Sequence, residues 1–302
     1  MSGSDRRVLI VNGDDFGLTP GVNIGIIAAH QCGILTSASL FANAPATDAA
    51  IALTRSTHTL GVGCHLTLVD GRPTLPLSQI PSLAPEDAFR GTWRAFIAAV
   101  LARRVDLTEI ERELTAQIDR IRSAGVLLTH LDSHKHVHAY PPIFEIVARL
   151  ARRFEIPIIR VPWEPRPIRV IAAHAWIPKA RRQALENLAL TPWARRDHAL
   201  LASYGMRAAP AFAGRALTGV FTSSRLRTLL TDLAPGVHEL MTHPGYPDAA
   251  LDQVRTRLRE QRAVEVALLT EPAVLDAVRR ARIVLARHDG VAHTAKCYSN
   301  AS

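Results

Sequence analysis

Apolar positions along this chain fall into short β-branched runs separated by longer stretches with helical spacing. Residues 7–12, RVLIVN, read as a buried strand that stops at Gly13. Residues 20–32 carry a helical pattern, with Pro20 near the start and Gly33 as the stop. TSASLFAN (36–43) and LGVGCHLTLV (60–69) predict two more strands, and a helix over 46–56 with a cap-like Thr47 lies between them. Residues 70–92, rich in Pro and Gly, predict a long loop of the kind that is often functional. Helices are expected over 93–104 and 106–123, the second with Thr108 and Glu111 as a capping box. A fourth strand (125–132), a helix (142–154) and a fifth strand (156–162) follow. Residues 163–215 lose this pattern. They carry Trp163, Trp176, Trp193 and several prolines, and predict a lid-like insertion, with two helices, over the sheet's end. A strand within 236–246, helices over 251–262 and 271–280, and a short strand over 282–287 complete the series.

Alternation of strand and helix at about 30 residues per unit predicts a parallel sheet covered by helices. The number of units suits an irregular (β/α) barrel of TIM-barrel type, with a doubly wound open sheet as the competitor. Both place functional residues just past the C-terminal ends of strands. The 302 residues, 48% of them hydrophobic, read as one α/β domain over 1–288 with an aperiodic, frayed tail at 289–302.

Composition narrows the function classes. No apolar run is long enough for a transmembrane helix, and the first residues lack an export-signal core, so a cytoplasmic protein is expected. Cys32, Cys64 and Cys297 are scattered and odd in number, which argues against a disulfide framework. The formal charge of +9 raises nucleic acid as a partner, but the arginines are spread along helices without aromatic interleaving, and no nucleic-acid partner is expected.

Four segments carry chemistry. VNGDDFG places Asp14 and Asp15 directly after the first strand. Neighbours in extended chain point opposite ways, so the two acids are expected in different roles; the plainer reading is a Gly-flanked turn. In GVGCHLTL, His65 alternates against Val62, Cys64 and Leu66 and so leaves the apolar face. THLDSHKHVH sets His130, Asp132, His134, His136 and His138 at every second position, one stripe if the chain is extended. Such a stripe spans about 27 Å, so only one or two members can reach one metal ion. In HELMTHPGY, His243 ends a short strand and is followed by Pro244 and Gly245. A carboxylate and two or more histidines after different strands would build an open, three-ligand metal site. Metal, a free carboxylate and a histidine acid together hydrolyse amides or esters.

The segments VNGDDFGLTPGVNIGI, GILTSASLFAN, GVGCHLTLVDGRP, THLDSHKHVH, IIRVPWEP and HELMTHPGYPD resemble, in order, the motifs of the YdjC-like carbohydrate deacetylases. GVNIGIIAAHQCGILTSASLFANAPA, LVDGRPTLP and GVFTSSRL are most similar to the hopanoid biosynthesis-associated branch, HpnK. The resemblance implies an irregular (β/α) barrel and one divalent ion, zinc or magnesium. It makes Asp15, His65 and His134 the metal ligands, Asp14 the base that activates water, and His243 the acid. It implies an N-acetylglucosaminyl hopanoid as substrate, with a chitooligosaccharide as the alternative. The first motif reads Asn12-Gly13-Asp14-Asp15 where many relatives have Ala in place of Gly, a change that leaves ligation intact.

Asp132, His136 and His138 are expected near the sugar or behind the metal ligands. Arg160 and Glu164, at the end of the fifth strand, are read as orienting the sugar or an active-site carboxylate, against the plainer reading of a surface ion pair. The tryptophans beside WIPKARR and PWARR suit peripheral contact with a membrane, the inner membrane in a bacterial cell, and a homo-oligomer is left open. A barrel amidohydrolase is the competing enzyme class; its His-x-His pair follows the first strand, where this chain has Asp-Asp. A non-enzymatic, metal-dependent sugar-binding protein is the other competitor, for which an acid–base pair would be superfluous.

Overall fold

The apolar run at the chain's start becomes β1 (Arg7–Phe16), the middle of the sheet. The computed structural model describes residues 6–164, 178, 191–209 and 211–290. Along β1 the order continues through α1 (Pro20–Gln31), β2 (Ser37–Leu40), α2 (Thr47–Ser56) and β3 (Gly61–Leu66). After the long loop come α3 (Trp93–Leu101), α4 (Leu107–Ser123), β4 (Leu128–Ser133), a 3-10 turn (His134–Ala139) and α5 (Pro141–Arg153). The remaining described elements are α6 (Thr191–Ser203), β5 (Ala211–Ala213), α7 (Ser223–Thr231), β6 (Gly236–Thr242), α8 (Ala249–Asp252), α9 (Glu260–Leu269), α10 (Pro272–Arg280) and β7 (Ile283–Leu285).

All strand pairs are parallel, in the order β4-β3-β2-β1-β6-β5. One edge of β1 is shared: β7 pairs with residues 7–9 and β2 with residues 12–16, while β6 takes the other edge. A single hydrophobic core runs from the strands into the helices. The described strands thus form a half-barrel in one α/β domain, and the closed ring expected of a full barrel is not made. The fifth strand accounts for part of the difference. Over 156–162 only Ile158 and Ile159 make isolated bridges, to Arg207 and Leu131. Pro157 and Pro162 lack the N–H a ladder needs.

Two helix starts differ from expectation. Asp106, not Thr108, caps α4, accepting the Thr108 N–H at 2.8 Å. Thr47 lies inside α2, and its hydroxyl donates to Phe41 O instead. The loop 70–92 has one short 3-10 turn, Leu77–Gln79, and is held by α4. Glu113 accepts the N–H groups of Thr74 and Leu75, and Glu109 those of Ser82 and Leu83. Trp176, about half of the proposed lid over 163–215 and residues 291–302 of the tail lie outside the described residues. No helix among the described residues is long and apolar enough to cross a membrane.

Candidate metal centre

Asp14 and Asp15, the end of His65's strand, His134 and His243 all stand at the C-terminal rim of the sheet. The pairing of β1 with β2 slips between Gly13 and Phe16, and Asp15 takes a left-handed backbone with φ 70°. Asp14 and Asp15 therefore do not point to opposite faces as in extended chain. Both come within ligand range of His65. Such a bulge beside a site re-aims a side chain.

The histidine stripe is interrupted. β4 ends at Ser133, and His134–Ala139 form a 3-10 turn in which Lys135 and His136 both have φ 55°. Of the stripe, His130 and Asp132 point from the strand into the barrel, and His134 turns toward Asp15. His138 folds back: Ser133 Oγ lies 2.6 Å from its Nδ1, and Nε2 donates to Arg160 O at 2.9 Å. Burial pushes its pKa down to about 4, so it is a neutral structural tie. His136 packs edge-on against Phe212.

One donor atom from each of Asp15, His65 and His134 lies within 4.8 Å of the others. Asp15 Oδ1 is 3.6 Å from His65 Nε2 and 3.3 Å from His134 Nδ1. An ion bonded at ~2.1 Å to each would set its donors ~3–3.4 Å apart. The surrounding groups leave the right atoms for it. Asp132 Oδ1 accepts from His65 Nδ1 at 2.8 Å, so the proton sits on Nδ1 and the lone pair is on Nε2. Arg262 Nη2 takes Asp15 Oδ2 at 2.5 Å and leaves Oδ1 to the centre. Burial by itself raises the Asp15 pKa, but Arg262 and His134 outweigh it and hold the carboxyl well below the usual carboxylate range. Phe41 walls the centre, its ring 4.8 Å from that of His65 and 5.4 Å from that of His134.

Charge also fits a divalent cation. Four buried carboxylates, Asp14, Asp15, Asp132 and Glu239, face two buried guanidiniums, Arg160 and Arg262. With Glu265 beside them raised by burial to a pKa of about 7, the negative excess is at least two, and such an ion would balance it. Burying them uncompensated would be costly.

Arg160 lies at the centre of this charge. It meets Asp14 in a two-pronged bond at 2.8 Å per prong, Asp132 Oδ2 at 2.5 Å and Glu239 Oε1 at 2.7 Å. In a flat sheet β1 and β4 would be ~14 Å apart, three strand spacings. One guanidinium nitrogen touching acids from both requires the sheet to curl. Arg160 is fully buried and its reading as half of a surface pair does not hold. Glu164 is not its partner: it receives the Ala216 N–H at 3.3 Å, and burial raises its pKa to about 7. His243 is half-buried at the same rim, just past the end of β6. Its backbone N–H donates to Glu265 at 2.6 Å, while its Nδ1 has no hydrogen-bond partner. Burial pushes its pKa down to about 4 against the pull of Asp14 and Asp15.

The structure adds residues that sequence reading missed. Glu239, Arg262, Glu265 and His288 are all buried at or beneath the centre. Glu239 lies on the strand that leads to His243; the other three carried no signal.

A family description, YdjC-like protein, matches residues 8–280. The chain belongs to the YdjC-like family. This YdjC-like chain is 37% identical over 271 residues to the carbohydrate deacetylase of Geobacillus stearothermophilus, covering 89% of this chain and 91% of that protein. It is 45% identical over 147 residues to the chitooligosaccharide deacetylase of Salmonella typhimurium strain LT2, covering 48% of this chain and 56% of that protein. Among solved structures, an Enterococcus faecalis V583 protein named for cellobiose-phosphate cleavage superposes with a TM-score of 0.76 at 26% identity, over 94% of this chain and 98% of that one.

Proposed function

We propose that this protein is a metal-dependent carbohydrate N-deacetylase that hydrolyses the acetamide of an N-acetylated sugar. The observation that carries the reading is the convergence of Asp15, His65 and His134, each with its spare atom tied off by a neighbour or aimed at the centre. The names of the relatives point to the same reaction class. Two imidazoles and one carboxylate favour zinc over magnesium. When bound, the ion would polarise the acetyl carbonyl and lower the pKa of water.

The chain's own residues supply the proton steps. Asp14 Oδ1 already accepts from Asn12 Nδ2 and Arg160 Nη2, both at 2.8 Å, whereas Oδ2 accepts from Arg160 Nη1 alone. A carboxylate oxygen has two acceptor positions, so Oδ2 is the atom able to take a proton from water. The water oxygen bonds to the acetyl carbon, the C–N bond breaks, and the nitrogen gains a proton from His243. The products are acetate and the free amine. His243 starts neutral, so it must gain a proton before it gives one; the carboxylates of Asp14 and Asp15 favour that charged form.

The relatives are named for carbohydrates and chitooligosaccharides, and a soluble N-acetylated oligosaccharide is the first substrate to test. The glycosyl-hopanoid implied by the motif similarity is the second. Of the tryptophans offered for membrane contact, Trp163 packs against the core and Trp193 is 38% exposed beside Tyr140. Mass spectrometry of both substrates, incubated with enzyme and zinc or magnesium, should show loss of one acetyl group. His134→Ala should lose both metal and turnover. No acetyl loss from any acetylamino sugar, or full metal content in His134→Ala, would sink the assignment.

A further inference from the structure

We propose that Glu239 is a positioning residue that holds Arg160 by its Nε, so that the rest of the guanidinium sets Asp14 for catalysis and steadies Asp132 behind His65. This rests on the deacetylase reading above.

A guanidinium has five N–H groups. Four of those directions at Arg160 end on carboxylate oxygens: Nε on Glu239 at 2.7 Å, Nη1 on Asp14 Oδ2 at 2.8 Å and Asp132 Oδ2 at 2.5 Å, and Nη2 on Asp14 Oδ1 at 2.8 Å. The backbone is pinned on both sides, with Arg160 N donating to Leu131 O and Arg160 O accepting from His138. Phe212 covers the guanidinium, its ring centre 5.5 Å away. The remaining freedom is the orientation of the guanidinium plane, and the Nε bond fixes it. Glu239 is itself well placed to do so. It sits on β6 in register with Ile10 of β1 and Phe212 of β5, and His288 Nε2 lies 3.3 Å from the same oxygen.

A merely structural ion pair needs one carboxylate. Three on one buried guanidinium is an arrangement that stability alone does not favour. Its geometry instead links the base, Asp14, to the support of a metal ligand, Asp132. Orienting partners of this kind typically change activity or metal affinity by about 10–100-fold when removed.

Two substitutions separate geometry from charge. Glu239→Gln keeps an acceptor at the same reach and loses the charge. Glu239→Asp keeps the charge and falls one methylene short of Nε. Positioning predicts that Asp lowers kcat by about 10–100-fold with KM within about twofold, while Gln loses less than about fivefold. In nitrogen-15 NMR of the metal-loaded protein, the Arg160 Nε–H signal should stay sharp in the parent and Gln variant and broaden in the Asp variant. An Asp variant as active as the Gln variant, or more active, overturns the proposal, as does parental kcat in both or an unchanged Nε–H signal in the Asp variant. A parent inactive on every acetylamino sugar overturns the deacetylase reading instead, and the NMR comparison then still decides the role of Glu239.

Discussion

The two sides of the metal centre are built differently. On one side Asp14, His65, Asp132 and Glu239 stand on strands, each no more than 2% exposed, and bear directly or through Asp132 on Arg160. On the other, His134 sits on a 3-10 turn beside Lys135, whose ammonium pairs with Asp70 at the start of the long loop. Asp70, Lys135 and His136 all have left-handed backbones, and the Asp70–Lys135 pair is partly exposed. The strand side holds charges in fixed geometry away from water. The turn side is more open to solvent and is where the chain departs from regular structure.

The sharpest way to break this contrast is Arg160→Met, which leaves three buried carboxylates without their shared cation. Loss of about 3–5 kcal/mol is expected in denaturant unfolding. An unchanged midpoint would show that the buried side is not the rigid one.

Glu265, which holds His243 from behind, tests the same side through pH. Burial raises its pKa to about 7 from an ordinary 4.5. The folded state therefore binds this proton more tightly than the unfolded chain. The stabilisation is complete below pH 4.5 and is lost as pH rises to about 7, a change of order 3 kcal/mol. Glu265→Gln should flatten that part of the stability–pH curve; an unaltered slope would assign it to other groups.

Lys135→Ala should do least to the fold. Its ion pair with Asp70 is partly exposed, and such pairs contribute under about 1 kcal/mol. Any effect should fall on KM. A large drop in melting temperature would mean that the turn side is as firmly built as the strand side.

Much of this was legible in the sequence because strands and their ends write themselves locally. The β-branched run before Asp14, the alternation around His65 and the apolar run before His243 each predict a strand that the structure has. What failed depended on contacts between distant residues. The stripe from His130 to His138 assumed one extended segment, but no glycine signals the left-handed turn at Lys135 and His136. Arg262 is 1% exposed, yet in an arginine-rich chain it reads like any surface arginine on a helix. His288 lies where periodicity ends, and only the pairing of β7 with β1 brings it under Glu239. The short reach of the fifth strand was foreshadowed by Pro157 and Pro162, which the hydrophobic pattern outweighed.

The two glutamates of α4 have a consequence for engineering the long loop. Glu113 and Glu109 clip the chain at Thr74–Leu75 and again at Ser82–Leu83, one helical turn apart. Residues 76–81 are thus a segment anchored at both ends, with Ile80 seated in the core between them. Lengthening such a segment costs little, about 0.6 kcal/mol per doubling of loop length. Within it the exposed Pro76, Ser78, Gln79 and Pro81 could be exchanged while Ile80, buried in the core, is kept and the strands beneath hold their register.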